Sequence, residues 1–142
     1  MLRAIAAVII AFVSWFVIAT IGNLGLRLTW HDYAQVEKAM NFTLSMMLAR
    51  LVLGTLSSLG AGFVVAWISR SSRVAALSLV GLLLLLFLPV HYQLWQKFPV
   101  WYHLVFFATL IVIPLLGAKL YVSRAVRGGK SVPSDAEGVL LR

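Results

Sequence analysis

Residues 51–68 read LVLGTLSSLGAGFVVAWI, 18 residues without a charge. Coiled as an α-helix at 1.5 Å per residue this stretch is about 27 Å long, close to the ~30 Å hydrocarbon thickness of a bilayer. Small residues recur along it at every fourth position, at Gly54, Ser58, Gly62 and Ala66, with Ser57 and Ala61 beside them. Helices in lipid gain nothing by hiding apolar side chains from an apolar solvent. They associate through close backbone approach, so a stripe of small residues marks a packing face.

Composition extends the same reading to the whole chain. Of 142 residues, 62% are apolar and 11% are charged. A soluble domain carries roughly 25% charged residues, and a chain this short cannot hide the shortfall in a large core. Hydrocarbon as solvent accounts for it. The net charge of +8 sits at the ends of apolar runs and forms no soluble basic face. The expected partner is therefore the anionic inner leaflet of a bilayer and not nucleic acid. With no cysteine, disulfides, thiol redox chemistry, thiolate metal sites, palmitoylation and prenylation are excluded.

Three further apolar runs flank the central one. Residues 4–22, AIAAVIIAFVSWFVIATIG, follow Arg3. The run exceeds the ~7–15 residues of a signal-peptide core, and its exit, IGNLGLRL, offers no small-x-small cleavage site, so an uncleaved span is expected. Ala4, Ala7, Ala11 and Ser14 alternate at three and four and share one face. Trp15 and Phe16 read as packing mass. Residues 74–90, VAALSLVGLLLLLFLPV, contain a leucine tract at 82–86 with no preferred face, which is expected to meet lipid, and Pro89 near the end. Residues 100–122 begin after Pro99, and Pro114 within them opposes the carbonyl of Leu110, predicting a kink. The next residues, Gly117 and Ala118, allow a neighbour to approach, and Lys119 can reach the headgroups.

The connections are polar. Residues 23–41, NLGLRLTWHDYAQVEKAMN, place Asp32 three after Thr29, the form of an N-capping box. Tyr33, Val36, Met40, Leu44, Met47 and Leu51 keep a helical period into the central run. Either the second helix starts near residue 32, or it bends near Asn41. Residues 42–49 are apolar and need cover. Residues 69–73, SRSSR, form a turn. The stretch 91–98, HYQLWQKF, with Trp101 and Tyr102, makes an aromatic band of the interfacial kind.

The expected fold is an all-α integral membrane protein of four transmembrane helices, with both termini on the same side. The helices are expected at about 4–24, 42–69 (or from near 32), 74–90 and 100–122, within a domain of residues 1–123. Residues 124–142 read as a flexible basic cytoplasmic tail. Arg3, Arg70, Arg73, Lys119, Arg124, Arg127, Lys130 and Arg142 fall on the side of the termini, against Arg27, Lys38, Arg50 and Lys97 on the other. The positive-inside rule puts the termini in the cytoplasm, and the expected location is a bacterial inner membrane. Asn41-Phe42-Thr43 is formally a glycosylation sequon, but it lies against the membrane and no modification is expected.

Signals for chemistry are few. Arg50 is the cation nearest an apolar run and has two readings. It is an anion or solute contact, with Ser57 and Thr109 as polar companions, or it snorkels to the headgroups, as the clean span below it favours. His31, His91 and His103 form a candidate polar site on the outer face. No two of them share an i, i+3 or i+4 spacing, and no metal or other cofactor is expected. No Asp or Glu lies within an apolar run, so the carboxylate that small four-helix multidrug exporters carry in their first helix is missing. No phosphate loop or nucleophile–base set is present, and no enzyme activity is expected.

The expected function is that of a non-catalytic protein acting through helix association, as a homo-oligomer or as a subunit beside a membrane-protein partner. The alternative is a small solute or ion transporter or channel. A lipid-directed enzyme would need His31, Asp32, His91 and His103 to converge. The Gly54–Ser58–Gly62 face is expected to pack on the first helix through Ala7, Ala11 and Ser14.

Overall fold

The computed structural model describes residues 2–70 and 72–127. Five helices follow in order: α1 (Leu2–Thr29), α2 (Tyr33–Ala39), α3 (Leu44–Ser69), α4 (Arg73–Gln93) and α5 (Val100–Arg127). All but the short α2 are long and apolar enough to cross a membrane. No strand occurs among the described residues. The last helix runs on through Arg127, beyond the expected end at 122, so the first residues of the expected tail are helical. The rest of that tail, 128–142, lies outside the described residues.

The four long helices form an up-and-down bundle. Neighbours around it run α1, α3, α5, α4, and α3 packs most extensively on α5 and α1. The small-residue stripe explains why α3 can sit so close to two partners. Gly54 and Gly62 face α5, where an added Cβ at Gly54 would touch Phe106 and one at Gly62 would collide with the Pro114 carbonyl. Gly117 of α5 answers it, since a Cβ there would run into the Leu59 carbonyl. Ser58, between the two α3 glycines, turns to α1 and accepts a bond of 3.0 Å from the Trp15 indole. The expected pairing of the whole face with α1 is thus corrected. Each glycine admits the partner's backbone directly, Gly62 that of Pro114 and Gly117 that of Leu59, and together they set the α3–α5 seam. In α1, Ala7 and Ala11 are fully buried, and Ser14 is half-buried with its hydroxyl on the Ile10 carbonyl. Ala66 is also buried.

The break between α2 and α3 settles the alternatives left by the periodicity. Met40 takes a left-handed conformation (φ 56°), and Asn41 donates back to the Val36 carbonyl, which closes α2. Thr43 then caps α3 by accepting from the Met46 amide. Apolar period persists across a break because it reports which side is buried, not whether the chain is continuous. The Thr29–Asp32 capping box does not form. Thr29 is the last residue of α1 and bonds the Gly25 carbonyl, while the Asp32 side chain makes no cap bond.

The leucine tract has an inner face after all: Leu83 is fully buried while Leu85 is 72% exposed. Helix α4 also runs past Pro89 to Gln93. Pro89 is exposed, so its missing amide and its ring face outward from the bundle. At the end of the bundle opposite α2, Arg3 donates from Nε to the Ile68 carbonyl at 2.6 Å. That bond ties the start of α1 to the last turn of α3 and satisfies a carbonyl that the helix cannot.

Candidate functional site

At the α2 end the helices part around a partly open cavity of about 480 Å³. All four long helices contribute walls. Trp15, Phe87 and Phe106 form its aromatic depth, with Phe87 4.8 Å from Trp15 and 5.2 Å from Phe106 between ring centres. Toward the end of the bundle Asn23, Arg27, Arg50, His91 and Tyr102 bring polar groups to it. Gly54 and Ala19 also line it, and the absent side chain of the one and the lone methyl of the other leave the space open.

Helix α2 lies over this end and is held by a polar network behind the Arg50 wall. Glu37 accepts from Arg27 Nε at 2.6 Å and from Asn23 Nδ2 at 3.0 Å. Tyr33, fully buried, donates its hydroxyl to Asn23 Oδ1 at 3.0 Å and accepts from Arg50 Nη1 at 3.1 Å. Arg50 Nη1 lies 3.6 Å from Glu37 Oε1. The Arg50 guanidinium also sits 4.7 Å over the Phe42 ring, a cation–π geometry. Partial burial by itself would raise the Glu37 pKa. The hydrogen bonds from Arg27 and Asn23 and the charges of Arg27 and Arg50 outweigh it, and the carboxyl is held below its ordinary value. The network carries two guanidinium charges against one carboxylate, and Arg50 Nε is buried without a hydrogen-bond partner.

Arg50 therefore does not simply snorkel to water. Its Nη1 is engaged by α2, and its side chain is 30% exposed. The other two candidate solute contacts lie elsewhere. Ser57 Oγ bonds the Leu53 carbonyl and Thr109 Oγ1 the Phe106 carbonyl, and neither lines the cavity. Intrahelical bonding satisfies a hydroxyl in an apolar setting without any solute.

Two of the three histidines meet. His91, near the end of α4, and His103, in the first turns of α5, approach to 2.7 Å between their Nδ1 atoms and are both buried. One nitrogen must donate and the other accept, so this bond and a proton on both Nδ1 atoms exclude each other. His91 lines the cavity. His103 stacks under Trp95 at 4.8 Å, with its Nε2 buried and unpartnered. His31 is exposed at the start of the α2 segment and takes no part in this pair. Helical spacing could not show the pair, because the hairpin between α4 and α5 makes it. Among the described residues no three His, Cys, Asp or Glu side chains could hold a metal ion.

A second, much smaller cavity, about 40 Å³, lies at the opposite end beside Ala66, Arg73 and Lys119. Between the two stand the buried Ala61, Leu79, Leu83 and Leu110 and the Trp15–Ser58 bond. Sequence reasoning passed over several contributors to the larger site. Trp15 was expected only to fill space, yet an indole N–H in mid-span needs an acceptor, and that requirement was the available signal. Glu37 and Asn23 carried no signal of their own, since both stand in a polar connection where such residues are ordinary. Comparison with family models, with curated proteins and with solved structures gave no match.

Proposed function

We propose that this chain is an integral protein of a bacterial inner membrane that works by holding a small molecule in the cavity at the α2 end. The observation that carries the reading is the cavity itself. Its volume of about 480 Å³ lies in the ~300–1,000 Å³ range of small-molecule sites, and its apolar walls with a few convergent polar groups are the usual composition of such sites. In this reading the four long helices span the bilayer. The excess of cations at the Arg3 end supports a cytoplasmic position for that end and both termini, with the cavity then opening toward the outer side.

The reading replaces association as the first choice. The stripe that suggested association is occupied within one chain, by Phe106, Pro114 and Trp15. A binding role also suits Glu37 better than a catalytic one. Two arginines hold its carboxylate ionised, which fits electrostatic positioning and not proton transfer. Transport remains the second reading. It is favoured by one specific observation, a roomy cavity at one end and a much smaller one at the other, an asymmetry that alternating access also calls for on one half of its cycle.

The test is native mass spectrometry of the full chain purified in mild detergent. A bound small-molecule mass is expected with the wild type and not with Ala19→Phe, which fills the cavity from α1. No adduct in either, together with no thermal shift from any member of a broad amphiphile panel, would sink the proposal. Flux into proteoliposomes above empty vesicles would promote the transport reading.

A further inference from the structure

Resting on the reading of the cavity as a small-molecule site, we infer that its occupant is a single-chain amphiphile with one compact oxyanion head, a carboxylate or a phosphate monoester or diester. Two features of the site point to that chemistry, one at each end.

The polar end has a surplus positive charge. Arg27 and Arg50 both line the cavity, and the one carboxylate of their network, Glu37, stands behind them and is not part of the wall. Glu37 offers its two oxygens to Arg27 and Asn23, with Arg50 Nη1 at 3.6 Å, beyond good hydrogen-bond distance. Arg27 and Arg50 thus share one carboxylate, which leaves a surplus guanidinium charge on the cavity wall. An oxyanion in the cavity would supply the second counter-charge. Asn23 and Arg27 line the same end of the cavity, so polar groups border it from α1 and α3.

The other end is built for a chain. From Asn23 to Trp15 along α1 is eight residues, about 12 Å of depth at 1.5 Å per residue. Over that depth the walls change from guanidinium and amide to Trp15, Phe87 and Phe106. The volume of about 480 Å³ suits one acyl or prenyl-like chain with its head, not a two-chain lipid. The cavity's polar-to-apolar axis also follows the bundle axis. A bilayer amphiphile can therefore enter with its head at the interface and its tail in the hydrocarbon, without turning over.

Brominated amphiphiles read this directly, because Trp15 lies in the wall and bromine quenches indole emission. The full chain is placed in nanodiscs of neutral, unbrominated phospholipid and titrated with a brominated fatty acid or with the brominated alcohol of the same length. The difference between wild type and Trp15→Phe isolates the signal from Trp15. Saturable quenching by the acid is expected, with the alcohol at least about tenfold weaker, as fits loss of a charge-assisted hydrogen bond. Arg50→Gln should weaken the acid by a similar factor and the alcohol much less, while Arg50→Lys should retain most of the acid binding. Arg27→Gln, at a half-exposed side chain, gives a second variant should Arg50→Gln fail to fold. A brominated anionic two-chain phospholipid tests the chain count. No saturable quenching by it is expected, and quenching equal to the acid would overturn the single-chain inference. Equal binding of acid and alcohol would overturn the oxyanion inference while leaving the cavity a small-molecule site. Quenching by neither would overturn the amphiphile as well, and the wider reading would then stand or fall on the mass-spectrometric adduct.

Discussion

Gly62 shows how a single missing side chain sets an interface. A Cβ at this position would strike the Pro114 carbonyl, which is backbone and cannot rotate away. Gly62→Leu should therefore force α3 and α5 apart and destabilise the fold by roughly 1–3 kcal/mol or more. Leu85→Ala, on the exposed side of α4, should change stability by about 0.5 kcal/mol or less. Thermal denaturation of the two variants in one detergent makes the comparison, and equal midpoints would contradict the packing. The Trp15–Ser58 bond gives a second prediction at this scale. Ser58→Ala leaves the buried indole N–H without an acceptor and should cost about 1–3 kcal/mol. Once Trp15→Phe has removed the donor, Ser58→Ala should cost much less. A double-mutant cycle measures the difference, and strict additivity would show that the bond contributes nothing.

Among the elements, α2 depends most on charge. At seven residues it is too short to be stable as an isolated helix in water. What docks it is the buried Tyr33 hydroxyl together with Glu37 in its clasp of Arg27, Asn23 and Arg50. Because folding lowers the Glu37 pKa below its ordinary 4.5, the unfolded chain binds more protons than the folded one near that pH. The contribution of Glu37 is thus fully present above about 4.5 and is lost as pH falls through the depressed folded value. The melting temperature of the wild type should drop over that window, and Glu37→Gln should remove this component of the drop while lowering stability at neutral pH. If the two proteins fall in parallel with acid, Glu37 does not hold α2. The break at Met40 belongs to the same scale. It turns α2 back over the bundle end, where a continuous helix would have projected away from it.

At the scale of the whole molecule, the absence of cysteine makes orientation easy to measure. In the proposed topology a cysteine at Lys38 faces outward and one at Arg73 faces the cytoplasm. Lys38→Cys should react with a membrane-impermeant maleimide on intact cells. Arg73→Cys should react only after permeabilisation. The reverse pattern would invert the bundle and turn the cavity toward the cytoplasm. The distribution of space has a further consequence. The cavity at the α2 end holds about 480 Å³ and the one beside Ala66 about 40 Å³, so a substitution that fills the larger, such as Gly54→Leu, should abolish ligand binding with little loss of stability. Gly54 borders the cavity, and a Cβ there meets Phe106 at an ordinary 3.5 Å. At Gly62, by contrast, there is no room to fill. Ligand titration alongside thermal denaturation of both variants separates the two effects.

The number and placement of the long helices were legible in the linear chain. Charge is so costly in hydrocarbon that uncharged runs of bilayer length, as at residues 51–68, declare themselves without reference to any neighbour. The value of the small residues on α3 was legible for the same reason, since closeness in lipid requires absent side chains. Which helix they receive was not. A stripe says that something approaches, and only the packing assigns Gly54 and Gly62 to α5, against Phe106 and Pro114, and Ser58 between them to Trp15 of α1. The site was visible only in part. Arg50 stood out as a cation beside an apolar run, and the outer histidines as a group. The meeting of His91 with His103, the Glu37 clasp and the aromatic depth at Trp15 all join residues from different helices. Local spacing carries no information about such meetings, because they are decided by how the helices pack side by side.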